Sequence, residues 1–414
     1  MGLLADRFRA LVAKEKDPRM NEADSDILYS TGFLTLDFLN GYKAFVKKPN
    51  NEEYFYNAVG FVDGSSTTFI GRPSSGKTTI ALQIAANIIR KFPNAVMFYD
   101  DIEGGSNIAR RQILTRFTLE EMDNRIIYRN SSVSAENFYK RIAMISDEKL
   151  NHRDEYEYNT GILDSKGREI YKLIPTVYIL DSLAMLTPEK ITEEEELSGQ
   201  MSTTAAAKTN TAVFKRIVPK LKAANIILFV INHINDKIEI NAFTHTKSQV
   251  GYLKQNETLP GGKAALYLAN NMIRVDDGAV LKPEKDLGVS GKIVDFTYIK
   301  SRTNASGRSI PMVFTYDNGF DNMLSLFMFL KSNGAIEMKG AYCSLRGYPD
   351  MRFTQKGFKD KLLNDSEFSQ AFLNVAKEEL ETLLAKPIDN LQIDNNSSFD
   401  NLSNSLLGLN LGLN

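Results

Sequence analysis

Cysteine is almost missing from this chain. Only Cys343 is present, so no internal disulfide can form, and the composition suits a reducing compartment. An excess of either charge is also missing, with 50 Lys and Arg against 51 Asp and Glu. That excludes a bulk electrostatic grip on a polyanion; a nucleic-acid contact would have to come from a local basic strip. No apolar run reaches the roughly 18 residues that span a bilayer. The opening stretch "MGLLADRFRALVAKEK" is charged throughout and lacks the apolar core of a signal peptide. Its Met-Gly start is followed by Asp6, where a myristoylation signal has Ser or Thr. The expectation is a soluble cytoplasmic protein with no membrane partner.

What is present is a large stock of core residues. Hydrophobic side chains make up 43% of 414 residues, enough for two or three domains. Residues 3–16 alternate apolar and charged positions at helical spacing, and "NEADSD" (21–26) reads as linker. A folded unit starts at "LYSTGFLTLDFLNG" (28–41), with an inserted loop or hairpin at 42–58. "TVYILD" (176–181) and "NIILFVIN" (225–232) are continuous apolar runs between polar residues, as in strands buried on both faces of a parallel sheet. Helical patterns at 77–91 and 204–223 alternate with such runs, which argues for an α/β fold with a central sheet. Residues 150–172 read as a polar insertion. After about residue 323 the pattern turns mostly helical, a small C-terminal domain. The segment 388–414 carries three Asp and no Lys or Arg and reads as a flexible tail.

Five strand ends carry the chemistry. "GRPSSGKT" (71–78) fits G-x-x-x-x-G-K-[ST] between a strand and a helix, the context a phosphate-binding loop requires. Glycines let backbone N–H groups wrap phosphate oxygens, and the helix N-terminus adds a positive dipole. The nucleotide-binding set is Gly71, Arg72, Pro73, Ser74, Ser75, Gly76, Lys77, Thr78 and Thr79. Lys77 would reach the β- and γ-phosphates, and the Thr78 hydroxyl would face Mg²⁺. Asp181 ends a buried strand, a place suited to the water shell of Mg²⁺. "FYDDIEGG" offers Asp100, Asp101 and Glu103 as carboxylates to orient or deprotonate an attacking water, and spacing does not choose among them. "VINHIN" ends its strand with Asn232 and His233, a polar group that could report nucleotide state. "YIKSRT" (298–303) places Lys300 and Arg302 two apart in a strand pattern, hence on one face.

Several of these stretches together resemble the RecA-type recombinases. They are the phosphate loop, "LDSLAMLTPE" as the second nucleotide motif, "STGFLTLDFLNG" as the lead-in, "DIEG" as the acidic motif and "INH" at the polar sensor. "PGGKAALYLAN" resembles the end of the second DNA-binding loop. "KSRT" and "LFMFLKSNGAI" are similar to phage strand-exchange proteins of the UvsX type. The resemblance spans roughly residues 28–385. It implies a P-loop ATPase core with a mostly parallel sheet, a short N-terminal helical segment and a small α+β C-terminal domain. The implied division is a docking segment at 1–27, a core at 28–325, a C-terminal domain at 326–387 and a tail at 388–414. The implied DNA-binding loops lie at about 187–208 and 235–262.

The same resemblance implies ATP and Mg²⁺ as cofactors, and a helical filament on single-stranded DNA with ATP between subunits. Homologous duplex DNA would be a further partner, and a mediator or single-strand-binding protein an additional one. A phage-encoded chain would work in the host cytoplasm. The alignment selects Glu103 as the activator of water and His233 as the sensor. It gives Lys300 and Arg302 a role at the neighbour's γ-phosphate. Lys237, Lys247 and Lys254 interleave with Phe243 and Tyr252, cations and aromatic rings that suit single strands; Gly261 and Gly262 close that loop. In the first loop Glu193–Glu196 would repel phosphate, leaving Lys190 or residues 202–204 to face DNA. The bacterial adenine-packing pattern after the acidic motif is absent, so adenine contacts stay unassigned.

Two other functions compete. A hexameric replicative helicase can also carry R-P-S-x-G-K-T, though "LDSLAMLTPE" and the missing primase-binding domain speak against it. A non-catalytic mediator paralogue would show a broken Lys or acid, whereas Lys77, Asp181 and Glu103 are all present.

Overall fold

A computed structural model describes residues 26–47, 50, 53–164, 167–189, 199–236, 253–254, 256–260 and 268–385. The expected N-terminal helix, the run Glu193–Glu196, Lys190 and the tail lie outside the described residues.

The centre is a nine-stranded sheet. In chain order its strands are β1 (Ser66–Gly71), β2 (Met97–Asp101), β3 (Ile126–Arg129), β4 (Thr176–Asp181), β5 (Ile226–His233), β6 (Asn271–Leu281), β7 (Gly291–Ser301), β8 (Ser309–Thr315) and β9 (Gly319–Asp321). Across the sheet they run β9-β8-β7-β6-β1-β5-β4-β2-β3. The six from β6 to β3 are parallel; β7, β8 and β9 extend the edge as an antiparallel meander. The fold is thus α/β with a mostly parallel sheet.

Burial explains the unbroken apolar runs. Every residue of β1 and β4 is buried, because helices cover both faces. Successive side chains alternate between them. Val177 and Ile179 with Ile227, Phe229 and Ile231 pack in the cluster that includes α1 (Lys77–Arg90). Tyr178 and Leu180 with Leu228 and Val230 turn the other way, onto α2 (Ala135–Asn151) and α3 (Gly199–Ala223).

Range 42–58 folds as an antiparallel hairpin, Tyr42–Lys47 against Glu53–Ala58. Residues 150–172, expected as a polar insertion, hold the hairpin Glu157–Leu163 and Glu169–Leu173. Their polarity reflects one solvated face, and Ile170 and Leu173 turn inward. Beyond β9 come α4 (Asn322–Ser332), a three-stranded antiparallel sheet at Ile336–Phe353 and α5 (Ser366–Glu381). Phe327, Phe353, Phe358, Phe368 and Phe372 close this part around one aromatic cluster. The residue pattern alone reads as mostly helical because these strands are short and half exposed, whereas the α+β domain implied by the resemblance includes the sheet.

Candidate nucleotide-binding site

Parallel register brings four strand ends to one edge. Gly71 lies opposite His233, and Asp181 lies between Ile231 and Asp101. At the end of β1 the chain turns through Ser74 and Gly76, with φ of 63° and 99°, and enters α1 at Lys77. A Cβ on Gly76 would come within 2.9 Å of the Phe320 ring, so this position favours glycine for both backbone and space.

Lys77 folds back over the loop. Its Nζ donates to the carbonyls of Arg72 at 2.7 Å and Gly71 at 3.0 Å. Burial lowers its pKa to about 8. Thr78 Oγ1 donates to Asp181 Oδ2 at 2.7 Å. Burial raises Asp181 to about 7. The Asp181–Ser182 peptide is cis.

The three acids of "DDIEG" point to three different places. Asp100 accepts from Arg141 Nη1 at 2.7 Å and from the Tyr178 hydroxyl, on the α2 face. Asp101 accepts from Ser106 N at 2.9 Å, Gly105 N at 3.3 Å and the Tyr128 hydroxyl at 3.0 Å, which folds the following loop. Glu103 faces the site. Its Oε1 meets Ser182 Oγ and His233 Nε2, both at 2.6 Å. Burial alone would raise Glu103, but the bonds from Ser182 and His233 hold it below its ordinary value. His233 Nδ1 is buried with no hydrogen-bond partner among the described residues.

The donor set fits a nucleotide with a hard cation. The loop offers backbone N–H groups, one ammonium and a hydroxyl–carboxylate pair. Among the described residues no group of three or more His, Cys, Asp or Glu is placed to hold a metal.

Lys300 and Arg302 sit elsewhere. The end of β7 lies opposite Asn271, where β6 begins, and Asn271 pairs with Thr67 near the start of β1. The pair is therefore at the opposite edge of the sheet from Gly71, about 13 Å away along the strand alone. Burial and the neighbouring Arg302 lower Lys300 to about 8. β7 ends at Ser301, and the N–H of Arg302 donates to Asn270 O.

Of the residues read as DNA-facing, Lys237, Phe243, Lys247, Tyr252, Gly261 and Gly262 lie outside the described residues, and Lys254 is exposed on a turn. Both ends of that segment touch the site. Asn232 Nδ2 donates to Pro260 O at 2.9 Å, and Arg72 pairs with Asp236.

Sequence reasoning missed two features. Lys292 on β7 donates to Ser74 O at 2.8 Å and to Asp277 at 2.6 Å, bracing the loop apex. The turn after β8 lies beside α1. There Tyr316 is half exposed, and Arg110 Nη1 donates to the carbonyls of Tyr316 and Asp317. Neither has a local motif; both depend on strands more than 200 residues from the loop.

Comparison with known proteins gives distant matches to RecA proteins. The chain is 22% identical over 291 residues to Protein RecA of Thermotoga maritima, covering 70% of this chain and 68% of that protein. The same figures hold for Protein RecA of Thermotoga sp. strain RQ2. Protein RecA of Haemophilus ducreyi is 25% identical over 174 residues, 41% of this chain and 42% of that protein. No family model matches the chain. Among the described residues no helix is long and apolar enough to cross a membrane. Taken with the α/β fold and its RecA-like sheet, the matches support a distant relationship to RecA.

Proposed function

We propose that this chain is a DNA-dependent ATPase that forms filaments on single-stranded DNA and exchanges homologous strands. The observation that carries the reading is the convergence of Lys77, the Thr78–Asp181 pair and the Glu103–His233 pair on one sheet edge. In this reading the loop residues Gly71–Thr79 wrap the phosphates. Lys77 leaves the Arg72 and Gly71 carbonyls for the β- and γ-phosphates. Thr78 and Asp181 would hold Mg²⁺, which supplies charge neutralisation on the phosphates when bound. Glu103 exchanges Ser182 or His233 for an attacking water and orients it. His233, released from Glu103, reports the γ-phosphate toward the segment that follows β5. The half-exposed Tyr316 ring offers a flat surface for the base.

Lys300 and Arg302 belong to a neighbour's site. Their place at the far edge of the sheet keeps them from their own loop. Cations there would stabilise transition-state charge across an interface and make hydrolysis depend on assembly.

The test is ATP turnover with and without single-stranded DNA. Wild type is expected to be stimulated by DNA, and Lys77→Ala to lose turnover by a factor of about 10² or more. A Lys77→Ala protein as active as wild type would refute the site.

A further inference from the structure

We propose that Asn304 is the positioning residue of the interface cations: its carboxamide bolts the loop that follows Lys300 and carries Arg302 to two other chain segments, and so fixes how those cations extend toward a neighbouring chain's triphosphate. The inference rests on the interface role proposed above for Lys300 and Arg302, and adds the group that aims them. Arg302 is exposed. With Thr303, Asn304, Arg308, Thr382 and Leu384 it lines a cavity of about 570 Å³. No packed core surrounds such a side chain, so the backbone of the loop decides where the guanidinium can reach.

The loop 301–307 is braced within itself. Ser301 Oγ accepts from the N–H groups of Thr303 and Asn304 at 3.3 and 3.1 Å. Ser301 N donates to Ser306 Oγ at 3.0 Å, and Gly307 N closes the turn on Tyr298 O at 2.7 Å. A loop braced in this way is aimed by its outside attachments, and these converge on Asn304. Its Oδ1 accepts from Ala305 N at 2.7 Å, inside the loop. Its Nδ2 meets the carbonyls of Leu39 at 2.9 Å, Gly41 at 3.0 Å and Leu383 at 2.7 Å. Two amide hydrogens thus serve three carbonyls, and one is shared.

The platform that bears those carbonyls is itself fixed. Leu39, Asn40 and Leu384 are buried. Ala385 N donates to Gly41 O at 3.1 Å, and Ala385 O accepts from Lys43 N at 3.0 Å. Asn40 Oδ1 accepts from Thr303 Oγ1 at 2.8 Å. One carboxamide therefore joins the end of the helix Leu34–Leu39, the chain just past α5 and the loop of the interface cations. The task needs an acceptor and a pair of donor hydrogens on one short side chain. A carboxylate would set its charge against three carbonyl oxygens, and an aliphatic side chain would leave them short of a donor. Without the amide the loop can swing on the end of β7. A displacement of about 1 Å in a group that meets the transition state costs up to about 10²-fold in rate.

The experiment measures ATP turnover on single-stranded DNA, with variants of the full chain alone and in equal mixtures. Asn304→Ala is expected to lose about tenfold or more of the DNA-stimulated rate, while the isolated chain still binds ATP as wild type does. Its phosphate loop and Glu103 are intact. It should therefore recover when mixed with Glu103→Gln, which keeps Asn304 and the cations and hydrolyses little itself. In random head-to-tail assembly about a quarter of the interfaces join an intact loop to intact cations, which gives about a quarter of the wild-type rate. Wild-type turnover by Asn304→Ala alone overturns the inference. So does an Asn304→Ala protein that stays inactive in the mixture while Lys300→Ala is restored there, because Asn304 would then serve only its own chain's fold. If Lys300→Ala is not restored either, the interface reading fails, and this inference with it. Where isolated Asn304→Ala does not bind ATP, Thr303→Val takes its place, since it deletes the hydroxyl bonds to Asn40 and Ser301. A loss of about twofold or more, relieved per intact loop in the same mixture, is then expected; an unchanged rate, or a loss the mixture does not relieve, refutes the positioning role.

Discussion

In the proposed reading a single carboxylate orients the attacking water. Of the three acids in "DDIEG", Asp100 is committed to Arg141 and Tyr178, and Asp101 to the loop at Gly105 and Ser106. Glu103 alone faces the phosphate loop's edge, bonded to groups it can exchange. Glu103→Gln is therefore expected to keep nucleotide binding and slow hydrolysis by about 10²-fold or more. Asp100→Asn should leave turnover near wild type and cost about 1–3 kcal/mol of stability through the weakened Arg141 contact. Paired turnover and thermal-melting measurements separate the two. If Asp100→Asn has the larger effect on turnover, Glu103 is not the activator. In the sequence these acids are equivalent by spacing, and only the resemblance chose Glu103. Which acid turns inward depends on Arg141 and Tyr178, 41 and 78 positions away, and no local pattern encodes that.

Elements were more legible than side chains. Strands β1, β4 and β5 are buried on both faces, so their runs are apolar throughout, and α1 follows a loop with a strong motif. The meander and the short C-terminal strands were less legible, since half-exposed strands carry weak alternation. The packing of α2 holds a further test. Lys149 on α2 donates to Ile174 O at 2.6 Å and Thr176 Oγ1 at 3.2 Å, pinning the helix to the start of β4. Burial lowers its pKa from an ordinary 10.5 to about 7. A lysine depressed in the folded state binds fewer protons there than when unfolded between those two values. Stability of the nucleotide-free protein should therefore rise as pH increases from about 7 toward 10. Denaturant titrations across that range should show the rise, reduced in Lys149→Met. An undiminished rise in the variant would assign it to other groups.

At the scale of the whole molecule, the sheet separates two charged edges. The phosphate loop lies at one, and Lys300 and Arg302 at the other. In the proposed reading one chain would contribute half of each of two sites, which is the arrangement a head-to-tail assembly needs. Lys300→Ala or Arg302→Ala should lose DNA-stimulated turnover while isolated chains still bind ATP. Loss of nucleotide binding by the isolated chain would place the pair at its own site instead. The neutral charge balance fits the same picture, because grip on DNA would then come from repeated local contacts along an assembly rather than from one basic surface. Negative-stain microscopy of the chain with single-stranded DNA and a non-hydrolysable ATP analogue tests this account most directly. Long helical filaments that dissolve without nucleotide are the predicted result; closed hexameric rings, or monomers alone, would contradict it.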